Sequence, residues 1–279
     1  LEDDVADLVL RDGVIWTGVA GAGVAQAVAV SAGRIAAVGS NADIDALVGS
    51  ATELISLNGR VVTPGFIDAH THFIAGGFQL SSVDLRDANS PEEFARRIAA
   101  FAQTVAPGTW ITGGDWDHEM WGGELPTREW IDSVTAENPV FVQRLDGHMA
   151  LGNSLALAAA GVTAATMDPP GGAVARTEAG EPAGVLKDEA MNLVYAVIPA
   201  SSEDELDRAL AAAAAHALSL GVTQIHDMAY SWTNLETYQR AHAADRLPLR
   251  IYSVVPMATW QRMRDYVKEH GRGDDRLWW

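Results

Sequence analysis

The chain has 279 residues, and 48% of them are hydrophobic, enough to build a sizeable core in one large domain or in two smaller ones. Acidic residues outnumber basic residues by 37 to 19, and the net charge of -18 argues against nucleic acids and anionic membrane surfaces as partners. The absence of cysteine excludes disulfides, thiolate metal sites and cysteine nucleophiles.

The N-terminal segment "LEDDVADLVL" lacks the basic and apolar regions of a signal peptide. The sequence leaves open whether a signal peptide was cleaved before Leu1, because the chain does not begin with Met. No run of about 18 apolar residues predicts a transmembrane helix. The sequence therefore favours a cytoplasmic protein that makes no membrane contact.

Short β-branched runs between residues 5 and 63 predict a meander of strands in a small sheet or sandwich. Asp12-Gly13, Ala32-Gly33 and Asn58-Gly59 separate these runs and are typical of hairpin turns. The next stretch, "VVTPGFIDAH", predicts a strand that is buried on both faces.

Residues 74–200 are predicted to hold a helix, several strand-to-loop passages and a long excursion. Ser90 and Pro91 in "SPEEFARRIAAFAQTV" are typical of an N-cap and first helical position. The Pro- and Gly-rich stretch between residues 161 and 190 predicts an excursion that carries a small hairpin.

From residue 200 onward, the pattern alternates between helix, strand, helix, strand and helix. The first of these helices is predicted to begin after Ser201 or Ser202 and to stop at Gly221. Such alternation is typical of a parallel α/β sheet or barrel.

His70 and His72 stand at the end of the predicted strand in "VVTPGFIDAHTHF". Side chains two residues apart on a strand point to the same face, so two neutral imidazoles could share a zinc-like ion there. Asp68 could support them by fixing a tautomer. The alternative is a pair of ordinary strand-end histidines, and spacing alone does not separate the two interpretations.

Several stretches carry a resemblance to a known family. "VVTPGFIDAHTHF" resembles the first barrel strand of the amidohydrolase superfamily, whose members bind one or two divalent metals there. "GGDWDHEMW", "QRLDGHMALGNSLAL" and "GVTQIHDM" resemble the YtcJ-like amidohydrolases, relatives of the N-substituted formamide deformylases. The similarity extends from about residue 5 to the end of the chain.

The resemblance implies an α/β fold, a (β/α)8 TIM-like barrel beside a small β-sandwich. Residues 1–63 would form part of that sandwich, completed by residues beyond this chain. Residues 64–279 would form the first part of the barrel, with an elaborated excursion at about 74–200. "GVTQIHDM" and "LRIYSVVPM" would be the second and third barrel strands.

The implied function is a metal-dependent hydrolase that cleaves an amide or related C–N bond of a small molecule with a metal-activated water. His70 and His72 would bind the metal, most plausibly zinc, as one or two ions. The family also uses a lysine or glutamate, two further histidines and a general-base aspartate, which are expected beyond Trp279. The chain is therefore predicted to need the rest of its polypeptide or a second chain, and a homodimer is among the assemblies that the resemblance allows.

Two other functions stay open. One is a non-catalytic, degenerate member of the family that binds a ligand through the same pocket. The other is a hydrolase of esters or lactones, because the resemblance does not specify the bond.

Further polar residues are candidates for substrate binding. The resemblance places His148, together with Asp146, at the substrate pocket. Asp115 and Trp116 form another polar and aromatic group that could shape a pocket. For each group the alternative is an ordinary packed loop.

His226 and Asp227 end the predicted second barrel strand, where His226 could line the pocket and Asp227 could support a metal ligand. Lys187 could be a carboxylated, metal-bridging lysine, but it lies in the excursion rather than on a fourth barrel strand. A solvated lysine at a helix start is therefore the favoured interpretation.

Overall fold

A computed structural model describes residues 5–229 and 231–279. The first four residues of the acidic N-terminal segment lie outside the described residues. The chain divides into two compact units, one ending at Ile67 and one starting at Asp68. Within the described ranges, no helix combines the length and the apolar character that crossing a membrane requires.

The first unit consists mainly of β structure, as its β-branched runs predict. Its elements in chain order are β1 (Leu8–Arg11), β2 (Val14–Trp16), β3 (Val24–Ala25), β4 (Ala27–Ser31), β5 (Arg34–Gly39), α1 (Asn41–Asp45), β6 (Glu53–Ser56) and β7 (Val61–Val62). They form a four-stranded sheet with the order β5-β4-β1-β6 and a three-stranded sheet with the order β3-β2-β7. Ile15, Val28 and Leu57 pack together in a small core that joins the two sheets.

The three Gly-containing turns of this unit differ in what they connect. Ala32 and Gly33 link β4 to β5 in an antiparallel hairpin, as predicted. Asp12-Gly13 and Asn58-Gly59 instead carry the chain from one sheet to the other, because β1 and β6 pair in the first sheet and β2 and β7 in the second. The hairpin prediction is wrong at these two turns, since a local turn signal does not specify which strands pair.

The second unit begins within β8 (Phe66–Thr71) and is larger. Its other strands are β9 (Val83–Asp84), β10 (Gly113–Trp116), β11 (Phe141–Arg144), β12 (Met149–Gly152), β13 (Gly172–Arg176), β14 (Pro182–Asp188), β15 (Val222–Met228), β16 (Arg250–Val254) and β17 (Leu277–Trp278). Its helices are α2 (Phe73–Leu80), α3 (Pro91–Ala102), α4 (Ser154–Ala159), α5 (Asn192–Tyr195), α6 (Glu203–Ser219), α7 (Trp232–Ala243) and α8 (Trp260–His270).

The C-terminal part of this unit has the predicted alternation of helices and strands. Strands β17-β16-β15-β8 form one sheet in that order, with β15, β16 and β17 pairing in parallel. Ile225, Ile251 and Leu277 occupy matching positions on the three parallel strands and pack against helices through Leu210 and Tyr238. The described residues form this open sheet and no closed barrel, so the barrel stays a prediction.

Strand β8 is exposed along both faces, contrary to the expectation of a fully buried strand. The exposed fractions of Phe66 and Ile67 are 59% and 57%. The physical reason is that β8 is an edge strand, with β15 on one side only.

The residues between α2 and α6 build a second sheet of their own. Its strand order is β13-β14-β12-β11-β10-β9, and the predicted hairpin in the excursion is β13 with β14. Buried side chains such as Phe94, Trp116 and Leu151 pack on this sheet. The excursion is therefore an ordered layer.

Side-chain caps fix the starts of several helices. Ser90 accepts a hydrogen bond from the backbone of Glu93, and Asn153 accepts one from Ala156. Ser202 rather than Ser201 caps α6, in a capping box with Glu205. Gly221, with a φ of 79°, follows the end of α6 as predicted.

Candidate metal centre

His70 and His72 lie side by side where β8 ends. Strand β8 finishes at Thr71, and His72 is the N-cap residue of α2. The centroids of the two imidazole rings are 5.6 Å apart, and the ring planes are perpendicular. The i, i+2 spacing thus brings two imidazole rings into one small region.

The orientation of His72 is fixed by the neighbouring strand. Its Nδ1 lies 2.9 Å from the backbone carbonyl oxygen of Met228, at the end of β15. A carbonyl oxygen can only accept, so Nδ1 carries the proton and Nε2 has the lone pair that can bind a metal. Histidines that bind metals in proteins are commonly held in this way by a backbone carbonyl.

Asp227, next to Met228, is a buried carboxylate with hydrogen bonds on both oxygens. Oδ1 accepts from the backbone N–H of Phe73 at 2.9 Å, and Oδ2 accepts from the Tyr238 hydroxyl at 2.8 Å. Asn234 donates to Oδ2 at 3.2 Å. Asp227 therefore contacts the segment that carries His72, and its support of a metal ligand stays a prediction.

Asp68 contacts His70 through the backbone. Its Oδ1 accepts from the His70 N–H at 3.1 Å, which closes a local turn. The structure thus gives Asp68 a role in shaping the end of β8, whereas the sequence suggested control of an imidazole tautomer.

Two neutral imidazoles fit a zinc-type ion as part of a donor set. Across the part of the chain that the structure describes, no group of three or more His, Cys, Asp or Glu side chains is arranged to hold a metal ion. Zinc takes four ligands in structural sites and three protein ligands plus water in catalytic ones. The two imidazoles of His70 and His72 would therefore need further ligands to complete such a site.

An open cavity of about 590 Å³ adjoins this region. Asp68, His72 and Gln79 line it, together with Asp115 from the second sheet. Asp115 is nearly buried, with a φ of 57°, and it accepts hydrogen bonds from Gln79 and from Arg86. The predicted pocket residue Asp115 thus reaches the same cavity as His72.

Trp116 does not line this cavity among the described residues. Its side chain is fully buried, packs against Phe94 and donates its indole N–H to the carbonyl oxygen of Val142. Asp115 has a left-handed φ, and the register of β10 against β11 shifts between Gly114 and Trp116, so the two neighbouring side chains enter different environments. The structure therefore places Trp116 in the core of the second sheet, in disagreement with a role in the pocket wall.

Asp146 and His148 belong to a separate polar group. His148 Nδ1 donates to Asp188 Oδ1 at 2.8 Å, and this hydrogen bond with Asp188 raises the pKa of His148. Asp146 accepts from the backbone N–H of His148 and pairs with Arg144. Neither Asp146 nor His148 is among the described residues that line the cavity beside His72.

His226 lies in a row of aromatic rings on the sheet face opposite the helices. His226, Tyr252 and Trp278 occupy matching positions on β15, β16 and β17. The His226 and Tyr252 rings are 5.2 Å apart, and Tyr252 stacks on Trp278 at 5.9 Å. His226 therefore lies edge-to-face against Tyr252 in this row, and Gln224 contacts its Nε2.

Lys187 lies on β14, opposite Met149 in the antiparallel pair with β12. It is not at a helix start, as the sequence suggested, because strand β14 continues to Asp188. Lys187 therefore lies within the sheet that the residues between α2 and α6 build.

The residues that sequence reasoning missed are Met228, Tyr238 and Asn234. Met228 acts through its backbone, which carries no residue-type signal. Asn234 and Tyr238 are four residues apart and share a face of α7, and Asp227 is an acidic residue near the end of β15. Because a buried carboxylate needs hydrogen-bond partners, Asp227 was the residue from which polar partners could have been inferred.

Comparisons with known proteins agree with the sequence resemblance. A family model described as "Amidohydrolase family" matches residues 53–277. The chain is 39% identical to the protein LONG AFTER FAR-RED 3 of Arabidopsis thaliana, over 96% of this chain and 48% of that protein. It is 32% identical to the amidohydrolase YtcJ of Bacillus subtilis, over 82% of this chain and 45% of that protein. It is also 32% identical to the N-substituted formamide deformylase of Arthrobacter pascens, over 81% of this chain and 43% of that enzyme.

A solved structure shares the fold. The crystal structure of a metal-dependent hydrolase from Pyrococcus horikoshii matches 97% of this chain with a TM-score of 0.72 and 23% identity. The match covers 53% of that protein. The chain thus spans about half the length of the proteins that it resembles.

Proposed function

The chain belongs to the amidohydrolase family, and we propose that its His70 and His72 are metal ligands of a hydrolase that cleaves an amide or related C–N bond. The observation that carries the proposal is the placement of the two rings 5.6 Å apart, with His72 held through Nδ1 by the Met228 carbonyl. With a proton held on Nδ1, Nε2 is the nitrogen through which a neutral His72 would bind a metal.

The metal proposed here is a divalent ion, with zinc favoured by the imidazole donors. When bound, such an ion supplies Lewis acidity that polarises a substrate carbonyl and lowers the pKa of a water molecule toward 7. The further ligands and the general-base aspartate are proposed to come from residues outside this chain. The (β/α)8 barrel is proposed on the same basis, with β8, β15 and β16 as its first three strands.

The substrate is proposed to be a small molecule with an amide-type bond. The name of the Arthrobacter pascens relative, N-substituted formamide deformylase, supports this class. The cavity beside His72 offers a mixed lining for such a molecule, with the apolar Phe73 and Ile225 facing the polar Gln79 and Asp115.

The test uses the complete natural polypeptide that carries these residues. Metal content is measured by inductively coupled plasma mass spectrometry, and turnover is measured on N-formyl and N-acyl amines beside aryl esters and lactones. The expected result is stoichiometric zinc and faster hydrolysis of the amides. His70→Ala/His72→Ala is expected to lose both the bound metal and the turnover.

A matched control removes two histidines from helices, as His242→Ala/His270→Ala, and is expected to keep the metal and the activity. Full metal content in His70→Ala/His72→Ala would refute the ligand assignment. Faster hydrolysis of esters or lactones would refute the amide assignment alone. Metal binding without turnover on any substrate would point to a ligand-binding member of the family.

A further inference from the structure

Asp227 is a fully buried carboxylate, and the hydrogen-bond donors that the described residues offer it are all neutral. Its exposed fraction is 0%, and its contacts are with a backbone N–H, a tyrosine hydroxyl and an asparagine amide. Burying a carboxylate without a cationic partner is unfavourable unless several hydrogen bonds satisfy it. An apolar residue of similar size would fill the space between β15 and α7 at lower cost, so packing alone does not explain an aspartate here.

The N–H group that donates to Asp227 belongs to Phe73, the first residue of helix α2. The N-cap residue of α2 is His72, and its side chain makes no capping hydrogen bond. The first N–H groups of a helix need an acceptor, and a negative charge near the helix N-terminus is favourable. Asp227 supplies that acceptor from another strand, so the imidazole of His72 need not serve the helix.

Two consecutive residues of β15 therefore hold two consecutive residues at the start of α2. The Met228 carbonyl accepts from the His72 ring, and the Asp227 carboxylate accepts from the Phe73 backbone. One contact sets the rotation of the ring, and the other sets the path of the main chain from which the ring projects.

Tyr238 and Asn234 hold the other oxygen of this carboxylate from α7. Burial and the nearby charge of Asp227 raise the pKa of Tyr238 well above its usual value, so its hydroxyl stays protonated as a donor. The position of Asp227 is thus tied to the helix layer on one side and to His72–Phe73 on the other.

We propose that Asp227 is a positioning residue for the metal centre, which keeps His72 in the orientation that metal binding requires. The inference rests on the proposed function, in which His72 is a metal ligand. In this inference, the buried Asp227 lies on the helix side of the sheet, on β15. It nevertheless affects the affinity for a metal at the end of the neighbouring strand β8.

The experiment measures metal affinity in the complete polypeptide, by zinc competition with a chromophoric chelator and by the visible absorption of bound Co²⁺. Asp227→Leu removes both acceptors and keeps a similar volume, while Asp227→Asn keeps one acceptor oxygen. We expect zinc binding to weaken about 10–100-fold in Asp227→Leu, and about tenfold in Asp227→Asn, with a shifted Co²⁺ spectrum in both. If the leucine variant does not fold, the asparagine variant decides the question.

The matched control is Asn153→Ala, which removes another buried capping side chain with several hydrogen bonds in the second sheet. It is expected to lower stability without changing zinc affinity or the Co²⁺ spectrum. Parent-like affinity and spectrum in folded Asp227 variants would overturn the inference, and so would an equal loss of affinity in Asn153→Ala. Parent-like zinc binding in His70→Ala/His72→Ala would instead reject the proposed function beneath it.

Discussion

Two histidines of the second unit, His72 and His148, are each held through Nδ1 by one acceptor, but the acceptors differ in kind. His72 donates to the neutral backbone carbonyl of Met228, and the adjoining residue is tied to the buried Asp227. His148 donates to the carboxylate of Asp188, and its side chain is 73% exposed.

The two acceptors have different effects on an imidazole. A carboxylate favours the protonated imidazolium and so raises the pKa, as it does for His148. A backbone carbonyl carries no net charge and orients the ring, as the carbonyl of Met228 does for His72. This orientation agrees with the metal-ligand role that we propose for His72.

The largest expected difference between His72 and His148 is in their effect on metal affinity. His72→Ala is expected to weaken zinc binding on the order of a thousandfold. Loss of a residue that only supports a ligand costs about 10–100-fold in metal affinity, and loss of the ligand itself should cost more. His148→Ala is expected to leave zinc affinity within about twofold. Chelator competition on both variants is the measurement, and similar losses in the two would remove the distinction between them.

The support of His72 also depends on how closely α2 approaches α6. A Cβ at Gly77 would lie 1.9 Å from the backbone carbonyl oxygen of Ala209, so Gly77→Ala must push the helices apart. We expect a loss of about 3 kcal/mol in the free energy of unfolding. Gly76→Ala is the control, because a Cβ there meets nothing within 4 Å and alanine favours helix. Equal stabilities of the two variants in denaturant titrations would contradict this packing.

The buried network behind His72 predicts a smaller change. Tyr238→Phe keeps the ring and removes one donor from the Asp227 carboxylate, with an expected cost of about 2 kcal/mol in unfolding free energy. Tyr252→Phe removes a hydroxyl from a half-buried ring that stacks on Trp278 and should cost less. Chemical denaturation of both variants tests the ranking, and a larger cost for Tyr252→Phe would reverse it.

The smallest expected effect is on the titration of His148. Asp188→Asn should lower the pKa of His148 toward its ordinary value, as followed by NMR of the ring protons, while Asp265→Asn should not. Because the pKa of His148 is raised in the folded protein, its pair with Asp188 stabilises the fold below the ordinary histidine pKa of about 6.5. That contribution is lost as the pH rises through the raised pKa. An unchanged titration in Asp188→Asn would show that the carboxylate does not govern this histidine.

Local signals in the sequence predicted the parts of the fold that depend on neighbours along the chain. The caps at Ser90 and Ser202, the turn at Ala32-Gly33 and the alternation after residue 200 are all set by hydrogen bonds or periodicity within a few residues. The family resemblance, which rests on several motifs, was confirmed by the family match and by relatives of the named kinds.

Long-range pairing could not be predicted in this way. The signals of Asp12-Gly13 and Ala32-Gly33 are alike, yet only the second closes a hairpin, because strand partners are chosen by the packing of whole sheets. The exposure of Phe66 and Ile67 likewise follows from the edge position of β8, which no local pattern encodes.

For the candidate site, the sequence by itself determined the proximity of the two proposed ligands, because the i, i+2 spacing of His70 and His72 brings their rings close together. Only the tertiary structure decided what holds His72. The Met228 carbonyl and the Asp227 carboxylate lie more than 150 residues further along the chain, and they meet His72 and Phe73 because β15 is the neighbour of β8. The orientation of a ligand is set by such through-space contacts, and a sequence specifies them only once its strands have paired.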